Sequence, residues 1–379
     1  MNISTLDLHR EYALIKRQVQ AEIDDCFQSQ GWILGKKVTE VEEMCARYLG
    51  VKYAAGLNSG TDALILALRA LAIKTKGKEF FDKKDEIITT PFTFIATAEA
   101  IVLSGATPVF VDIDEDFNIS PCAVEAAVNK NTVGIIPVHL YGLCAQMAPL
   151  IKIAKKNKLF LVEDVAQAFG TAYKGRKAGA MGDIGCHSFF PSKNLGGYGD
   201  GGLVTTNDKK LSELLKILRN HGQVSTYNAE YIGYNSRLDS IQAAVLKVKL
   251  PLIDEMNARR AQIAAQYDEA FQNIKGLSIP KVPQGSSHVY NLYTLRISQG
   301  RDRLLKHLND NGIGARVYYP QLVSDMAAYR NAKIKGKLNN AKLAIGTCLT
   351  LPVHPFLTKE EIDFVIKTLV SANSEKDIV

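Results

Sequence analysis

One lysine, Lys193, stands between an apolar segment that reads as a strand, Ile184 to Phe190, and a glycine-rich run, Gly196-Gly197-Tyr198-Gly199-Asp200-Gly201-Gly202. Glycines in such a run let the backbone pass close to a ligand. Upstream, Leu159-Phe160-Leu161-Val162-Glu163-Asp164 is an apolar run ending in carboxylates, the pattern of a buried parallel strand with Asp164 at its carboxyl end. Open α/β sheets bind ligands at that edge. A lysine and a carboxylate brought together there, with a phosphate site nearby, are the parts that pyridoxal phosphate chemistry requires: an amine to condense with the aldehyde and an anion to face the pyridine nitrogen. The competing reading is a surface lysine and a strand-end aspartate that never meet.

The phosphate site has its own candidate. Tyr53 to Leu57 reads as a short strand, and Asn58-Ser59-Gly60-Thr61-Asp62 leads from it into a helix over Ala63 to Leu71. Small residues at a helix start leave backbone N–H groups free for an anion, which the helix dipole favours; an ordinary N-cap by Ser59 or Thr61 accounts for the same letters. The strand Glu86 to Thr89 delivers Pro91-Phe92-Thr93-Phe94. Strands and helices then alternate: helix 95–104, strand 108–112, helix 122–128, strand 133–138, helix 147–157, strand 203–206, helix 209–218. This rhythm implies a mostly parallel mixed sheet covered by helices on both faces, an α/β fold.

Glu163-Asp164-Val165-Ala166-Gln167, Ser188-Phe189-Phe190-Pro191-Ser192-Lys193 and Gly199-Asp200-Gly201-Gly202, in this order, resemble the DegT/DnrJ/EryC1/StrS sugar aminotransferases, a branch of the fold type I pyridoxal phosphate enzymes. The resemblance runs from about Asp7 to about Thr358. It implies a large cofactor-binding domain over 1–250 and a smaller C-terminal α+β domain over 251–379, joined by a helical stretch from Ser240 to about Gln272 broken near Pro251. It makes Lys193 and Asp164 catalytic. Ser59, Gly60, Thr61 and Ser188 would hold the phosphate, Phe94 would stack on the cofactor ring, and Gln167 would bond the ring oxygen. Gly233-Tyr234-Asn235-Ser236-Arg237 is similar to a family stretch that crosses to the neighbouring subunit, so Asn235 would reach the partner's phosphate and Arg237 its substrate, in a homodimer with shared sites. Tyr318 and Tyr319 fall in a substrate-contacting segment where the family usually has histidine in place of Tyr318. The lysine-loop motif is most similar to members that aminate C3 of a UDP-linked 2-acetamido-3-keto-hexuronic acid with L-glutamate as donor, for a surface polysaccharide. A C3 or C4 aminotransferase for a dTDP- or UDP-linked keto-6-deoxysugar is the alternative, and a non-catalytic binding protein of the same fold the alternative outside enzymes.

The remaining features set bounds. The chain has 379 residues and a net charge of +7, spread without a nucleic-acid-binding motif, so the charge fits small anionic ligands instead. No apolar run approaches the ~18 residues of a membrane span, and the start Met1-Asn2-Ile3-Ser4-Thr5 lacks a signal-peptide pattern; a cytoplasmic protein is expected. Six scattered cysteines and seven histidines show no metal-ligand spacing. Residues 74–84 read as a charged, solvated surface insertion. Trp32 belongs to a segment that leads toward the active site in the family, or is a packing residue. Asp239 reads as a helix cap, and the polar tail from Ser371 as a fraying end.

Overall fold

The computed structural model describes residues 1–374. Short apolar runs with little alternation form the strands of one eight-stranded sheet, because a strand buried on both faces needs apolar side chains on both. In chain order these are β1 (Tyr53–Leu57), β2 (Glu86–Thr89), β3 (Thr107–Phe110), β4 (Thr132–Ile135), β5 (Phe160–Asp164), β6 (Ile184–Ser188) and β7 (Gly202–Thr206). Across the sheet they lie β1-β7-β6-β5-β4-β2-β3, and a two-residue strand, Lys333–Ile334, closes the edge beside β3. β7 alone runs against the others. The sheet is therefore mostly parallel, and one set of strand ends forms a ligand-binding rim.

The first three helices are α1 (Leu8–Ser29), α2 (Lys36–Leu49) and α3 (Gly60–Lys76). α3 carries ten consecutive buried residues from Ala63 to Ala72, as a helix wedged beneath the sheet must. It starts three residues before the expected Ala63 and ends five after Leu71, because Ser59 caps it: the Asp62 N–H donates to Ser59 Oγ at 3.0 Å. α4 (Ala96–Leu103), α5 (Pro121–Ala127), α6 (Met147–Asn157) and α7 (Lys209–Leu218) follow their expected segments within two residues. α8 (Ser240–Lys249) and α9 (Ile253–Phe271) are joined by a 3-10 turn at Leu250–Leu252, where Pro251 withholds the N–H a continuous helix needs. Asp239 sits at the start of α8, but its side chain makes no capping bond; its backbone pairs with Ile33. Trp32 packs edge-on against Phe27, 5.0 Å between ring centres.

A second, three-stranded antiparallel sheet of Leu277–Ser278, Tyr293–Ile297 and Cys348–Leu351 is covered by α9, α10 (Arg301–Asp310) and α11 (Lys359–Ser374) through Tyr267, Phe271, Leu304, Leu308, Ile362 and Val365. The chain crosses the expected 250/251 division twice, since Ile3 joins this second core and Lys333–Ile334 joins the large sheet. Of the expected fraying tail, residues 371–374 continue α11, and 375–379 lie outside the described residues.

The expectation for residues 74–84 is corrected in part. α3 continues to Lys76, and Phe81 is buried against Phe160 at 5.6 Å between ring centres. The guanidinium of Arg69, fully buried, donates to the Glu79 carboxylate (3.0 Å), to Ile232 O (2.9 Å) and to Tyr234 Oη (3.1 Å), with Phe80 stacked 3.7 Å over it. The rest of the segment, apart from half-buried Lys74, Glu79 and Asp82, is solvated as expected. A buried cation must be paired on all sides, and Arg69 recruits the turn to do so.

Glu163 is the other buried charge that shapes the rim. Alternation along β5 points it away from Asp164. Its carboxylate accepts from the backbone N–H groups of Gly179, Met181 and Gly182 at 2.7–3.0 Å and lies 3.0 Å from His139 Nε2. The Ala145 N–H donates to His139 Nδ1, so the ring proton sits on Nε2 and is donated to Glu163. Burial opposes ionisation, yet these donors outweigh it and hold the Glu163 carboxyl below its ordinary range. Glu163→Gln, which keeps the shape but loses the charge, is expected to destabilise the fold by about 3 kcal/mol, measured as a lowered denaturation midpoint in urea; an unchanged midpoint would sink this account.

Candidate active site

The rim gathers its residues from five loops. β1 ends at Leu57, and α3 begins at Gly60. Ser59 caps the helix, its Oγ accepting from the Asp62 N–H while its own hydroxyl proton remains to donate. The N–H groups of Gly60 and Thr61 donate to no described residue, and they open a 17-residue helix. That leaves two backbone donors and a helix dipole pointed at the same place. Ser188, at the end of β6, closes this cup. A Cβ on Gly60 would stand 2.7 Å from Ser188 Cβ, and one on Gly202 would stand 2.2 Å from Ser59 O. Only glycine at both positions lets the helix start, the lysine strand and β7 touch.

Lys193 follows two turns later. Its loop is pinned by neighbours: Asn194 Nδ2 donates to Asn257 Oδ1 (2.7 Å) and Val289 O (3.0 Å), Asn291 Nδ2 to Ser192 O (3.2 Å), and the Tyr198 N–H to Gln242 Oε1 (2.8 Å). Lys193 Nζ itself has neither hydrogen bond nor ion pair among the described residues. Burial pushes its ammonium below the ordinary lysine value, against the opposing pull of Asp164.

Asp164 is 5 % exposed. Oδ2 accepts from Thr97 Oγ1 at 2.8 Å and Oδ1 from the Ala166 N–H at 3.1 Å. Burial raises this carboxyl above its usual range, with Thr97, Ala166 and the Lys193 charge acting the other way. Thr97 spends its single hydroxyl proton on Asp164, so at 3.2 Å from Thr93 Oγ1 it is the acceptor there. This Thr93–Thr97–Asp164 chain is absent from the sequence reading; two threonines four residues apart, where a strand-end loop enters α4, were the signal for it.

Gln167 is brought to the same rim, but both ends of its amide are engaged: Oε1 accepts from the Tyr141 N–H (2.8 Å), and Nε2 donates one hydrogen to Tyr319 Oη (3.1 Å). The second Nε2 hydrogen remains for a ligand. Tyr141, also missed in the sequence, thus orients Gln167. Phe94 is 57 % exposed, tilted 6.4 Å from the ring of Tyr319, an apolar face open to the cleft. Tyr319 therefore belongs to the cluster. Tyr318 is tied to the wall behind it, its carbonyl accepting from Tyr141 Oη. Asn235 and Arg237 lie apart from Lys193, on a loop whose Ser236 Oγ donates to Asp62 Oδ2 at 2.7 Å. Asn235 is exposed; Arg237 donates to Asn220 Oδ1 at 3.1 Å and keeps a buried Nε without an acceptor. Arg219, in the neighbouring loop, is structural: its guanidinium binds Gly56 O (2.8 Å) and the buried Glu42. Among the described residues no cluster of histidine, cysteine and carboxylate side chains has the makings of a metal site, and no helix is long and apolar enough to cross a membrane.

An amine whose hold on its proton burial weakens, a buried carboxyl held by a threonine, an anion cup and an exposed ring fit pyridoxal phosphate feature by feature. The comparisons with known proteins agree. The chain is 40 % identical over 373 residues to a "Pleiotropic regulatory protein" of Geobacillus stearothermophilus (97 % of this chain, 98 % of the relative), and 38 % identical over 370 residues to the UDP-2-acetamido-2-deoxy-3-oxo-D-glucuronate aminotransferase of Pseudomonas aeruginosa (97 % and 100 %). Among solved structures, that of S. venezuelae DesV, crystallised in complex with a ketimine intermediate, superposes with a TM-score of 0.94 at 37 % identity, covering 99 % of this chain and all of the other. A model of the DegT/DnrJ/EryC1/StrS aminotransferase family matches residues 13–370; the chain belongs to that family of pyridoxal phosphate-dependent sugar aminotransferases.

Proposed function

We propose that this aminotransferase moves nitrogen from L-glutamate to C3 of a UDP-linked 2-acetamido-3-keto-hexuronic acid, supplying a diamino sugar for a surface polysaccharide, as a homodimer whose two sites share residues. The observation that carries the catalytic part is the unpaired, partly buried Lys193 beside the buried Asp164. The substrate part is supported by likeness to a UDP-2-acetamido-2-deoxy-3-oxo-D-glucuronate aminotransferase and by the Arg237 Nε left without an acceptor, a natural clamp for a sugar carboxylate.

Bound pyridoxal phosphate supplies an aldehyde that takes up amines and a conjugated ring that accepts the electron pair left when a neighbouring carbon loses its proton. Gly60, Thr61 and Ser188 would hold its phosphate, joined by the partner subunit's copy of the Asn235 position. Phe94 would pack on its ring, and the free Nε2 hydrogen of Gln167 would be a donor to it. Asp164, kept in one orientation by Thr97 and Ala166, would stabilise a proton on the pyridine nitrogen. Burial lowers the hold of Lys193 Nζ on its proton, so it would serve as the base that moves one proton between the carbon bearing the incoming nitrogen and the far side of that nitrogen. Tyr319 lines the sugar's approach. Ser59 serves through the cap that presents the two N–H groups.

The chain is expected to convert the UDP-linked 3-keto-hexuronate to its 3-amino product with glutamate, and Lys193→Ala to lose at least about 10⁴-fold in turnover. Transfer by the alanine variant at the wild-type rate would overturn the assignment. Mixing Lys193→Ala with Asn235→Ala subunits builds one site with both residues intact if Asn235 serves the partner, so the mixture should exceed either parent; activity no higher than that of the Asn235→Ala parent rules out the crossing. The raised Asp164 carboxyl gives a third check. Between the ordinary carboxylate value and its higher folded value the native cofactor-free chain binds more protons than the unfolded one, so stability contributed by this group is lost as pH rises through that window. In Asp164→Asn that loss disappears from thermal midpoints measured against pH; identical slopes in both proteins would contradict the raised value.

A further inference from the structure

In three other helices a threonine sends its hydroxyl proton to the carbonyl four residues back: Thr75 to Leu71 O at 2.7 Å, Thr347 to Leu343 O at 2.7 Å and Thr368 to Phe364 O at 2.8 Å. This is the ordinary bond of a helical threonine. Thr97 departs from it. It lies in the first turn of α4, so the residue four back, Thr93, still belongs to the loop that follows β2. Thr97 Oγ1 meets the Thr93 hydroxyl at 3.2 Å and donates to Asp164 Oδ2 at 2.8 Å. Both threonines are buried, Thr93 at 3 % exposure and Thr97 at 1 %, so solvent replaces neither bond. A hydroxyl has one proton; with that of Thr97 committed to Asp164, the proton between the two threonines belongs to Thr93. The chain therefore runs in one direction, from Thr93 through Thr97 to the carboxylate.

Burial opposes a charge on Asp164; Thr97 leads the groups that favour it, followed by the Ala166 N–H and the charge of Lys193. Lys193 is the inconstant member, because its amine must lose its charge to act as a base. The Ala166 N–H is fixed by the backbone. Thr97 is thus the side chain that keeps the carboxylate ionised while the charge of Lys193 comes and goes, and Thr93, by donating to Thr97, polarises the hydroxyl that does so. His139, Cys186 and Tyr319 are the other titratable groups near Asp164, and none of them hydrogen-bonds its carboxyl. Thr93 also stands between Phe92 and Phe94, whose rings lie 6.2 and 6.4 Å from that of Tyr319, so the chain of hydroxyls begins in the loop that carries the exposed ring of the cleft. We infer that Thr93 and Thr97 are positioning residues for amino transfer, a two-hydroxyl relay that fixes Oδ2 and holds Asp164 ready for a proton on the pyridine nitrogen. This inference rests on the role given to Asp164 above.

The test uses the full-length chain, first free of cofactor and then loaded with it. The native cofactor-free chain loses stability as pH rises from the ordinary carboxylate range to the raised folded value of Asp164. Removing a donor to the ionised form raises that folded value further. The thermal midpoint of Thr97→Val is therefore expected to go on falling to a higher pH than that of wild type; Thr93→Val shifts the same way by less, and Thr97→Ser, which restores the hydroxyl, returns the wild-type profile. These shifts in the pH profile should vanish in the Asp164→Asn background, where a purely structural role of either threonine would leave its effect unchanged. Loaded with cofactor, Thr97→Val should lose about tenfold in kcat, the scale of a lost hydrogen bond to a charged group, with KM for the keto-sugar within about twofold of wild type. A wild-type pH profile in Thr97→Val, a shift that persists in Asp164→Asn, or an unchanged kcat would each overturn the proposal, and a wild-type profile in Thr93→Val would overturn the relay. Should Thr97→Val fail to fold, Thr93→Val, which keeps the bond from Thr97 to Asp164, carries the same measurements. The pH profile needs no amino transfer, so failure of the relay is distinguishable from failure of the transferase reading.

Discussion

The structure depends on keeping one amine and one carboxyl close together where water is scarce. Burial drives both groups of the Lys193/Asp164 pair toward their neutral forms, and their mutual attraction drives them back. A lysine in water would be protonated and useless as a base; a lysine ion-paired outright to Asp164 would be equally useless. The rim holds it between these states by occupying Asp164 with Thr97 and Ala166 and by fixing the lysine loop through Asn194, Asn291 and Gln242 while leaving Nζ unpaired.

The rest of the architecture serves that placement. Parallel strands bring β5 and β6 to a common edge, and the reversal at β7 turns the glycine-rich run back beneath the start of α3. Glu163, one residue from Asp164 and on the other face of the strand, binds the loop at 179–182 and His139. Two adjacent carboxylates thus have opposite fates: one is held below its ordinary range and bonded into the fold, the other is raised above it by burial. Strand alternation separates them, and their donors decide the rest.

Much of this was legible in the letters. Apolar runs at 159–164 and 184–190 announced the strands, and the glycine-rich run at 196–202 marked a close approach, because such patterns have few physical solutions. Less legible were the partners that act from a distance in sequence. Thr97 to Asp164, Tyr141 to Gln167 and Asn194 to Val289 are contacts that only the closed fold creates. Local chemistry also misled where two roles compete for one side chain. Asp239 had the residue type of a cap but not the bond, while Ser59 made the bond.

Arg69 carries a further consequence. Its buried guanidinium grips, at once, the turn after α3 and the loop at 232–234, alongside the Glu79 carboxylate, which accepts from the Ile232 N–H at 2.8 Å, and that loop runs directly into Asn235 and Arg237. The turn therefore behaves as a lever arm rather than as a decoration. Lengthening, shortening or rigidifying it would retune the pose of two side chains far from it in sequence, so that a stretch with the composition of a disposable surface sets the posture of the loop at 232–237.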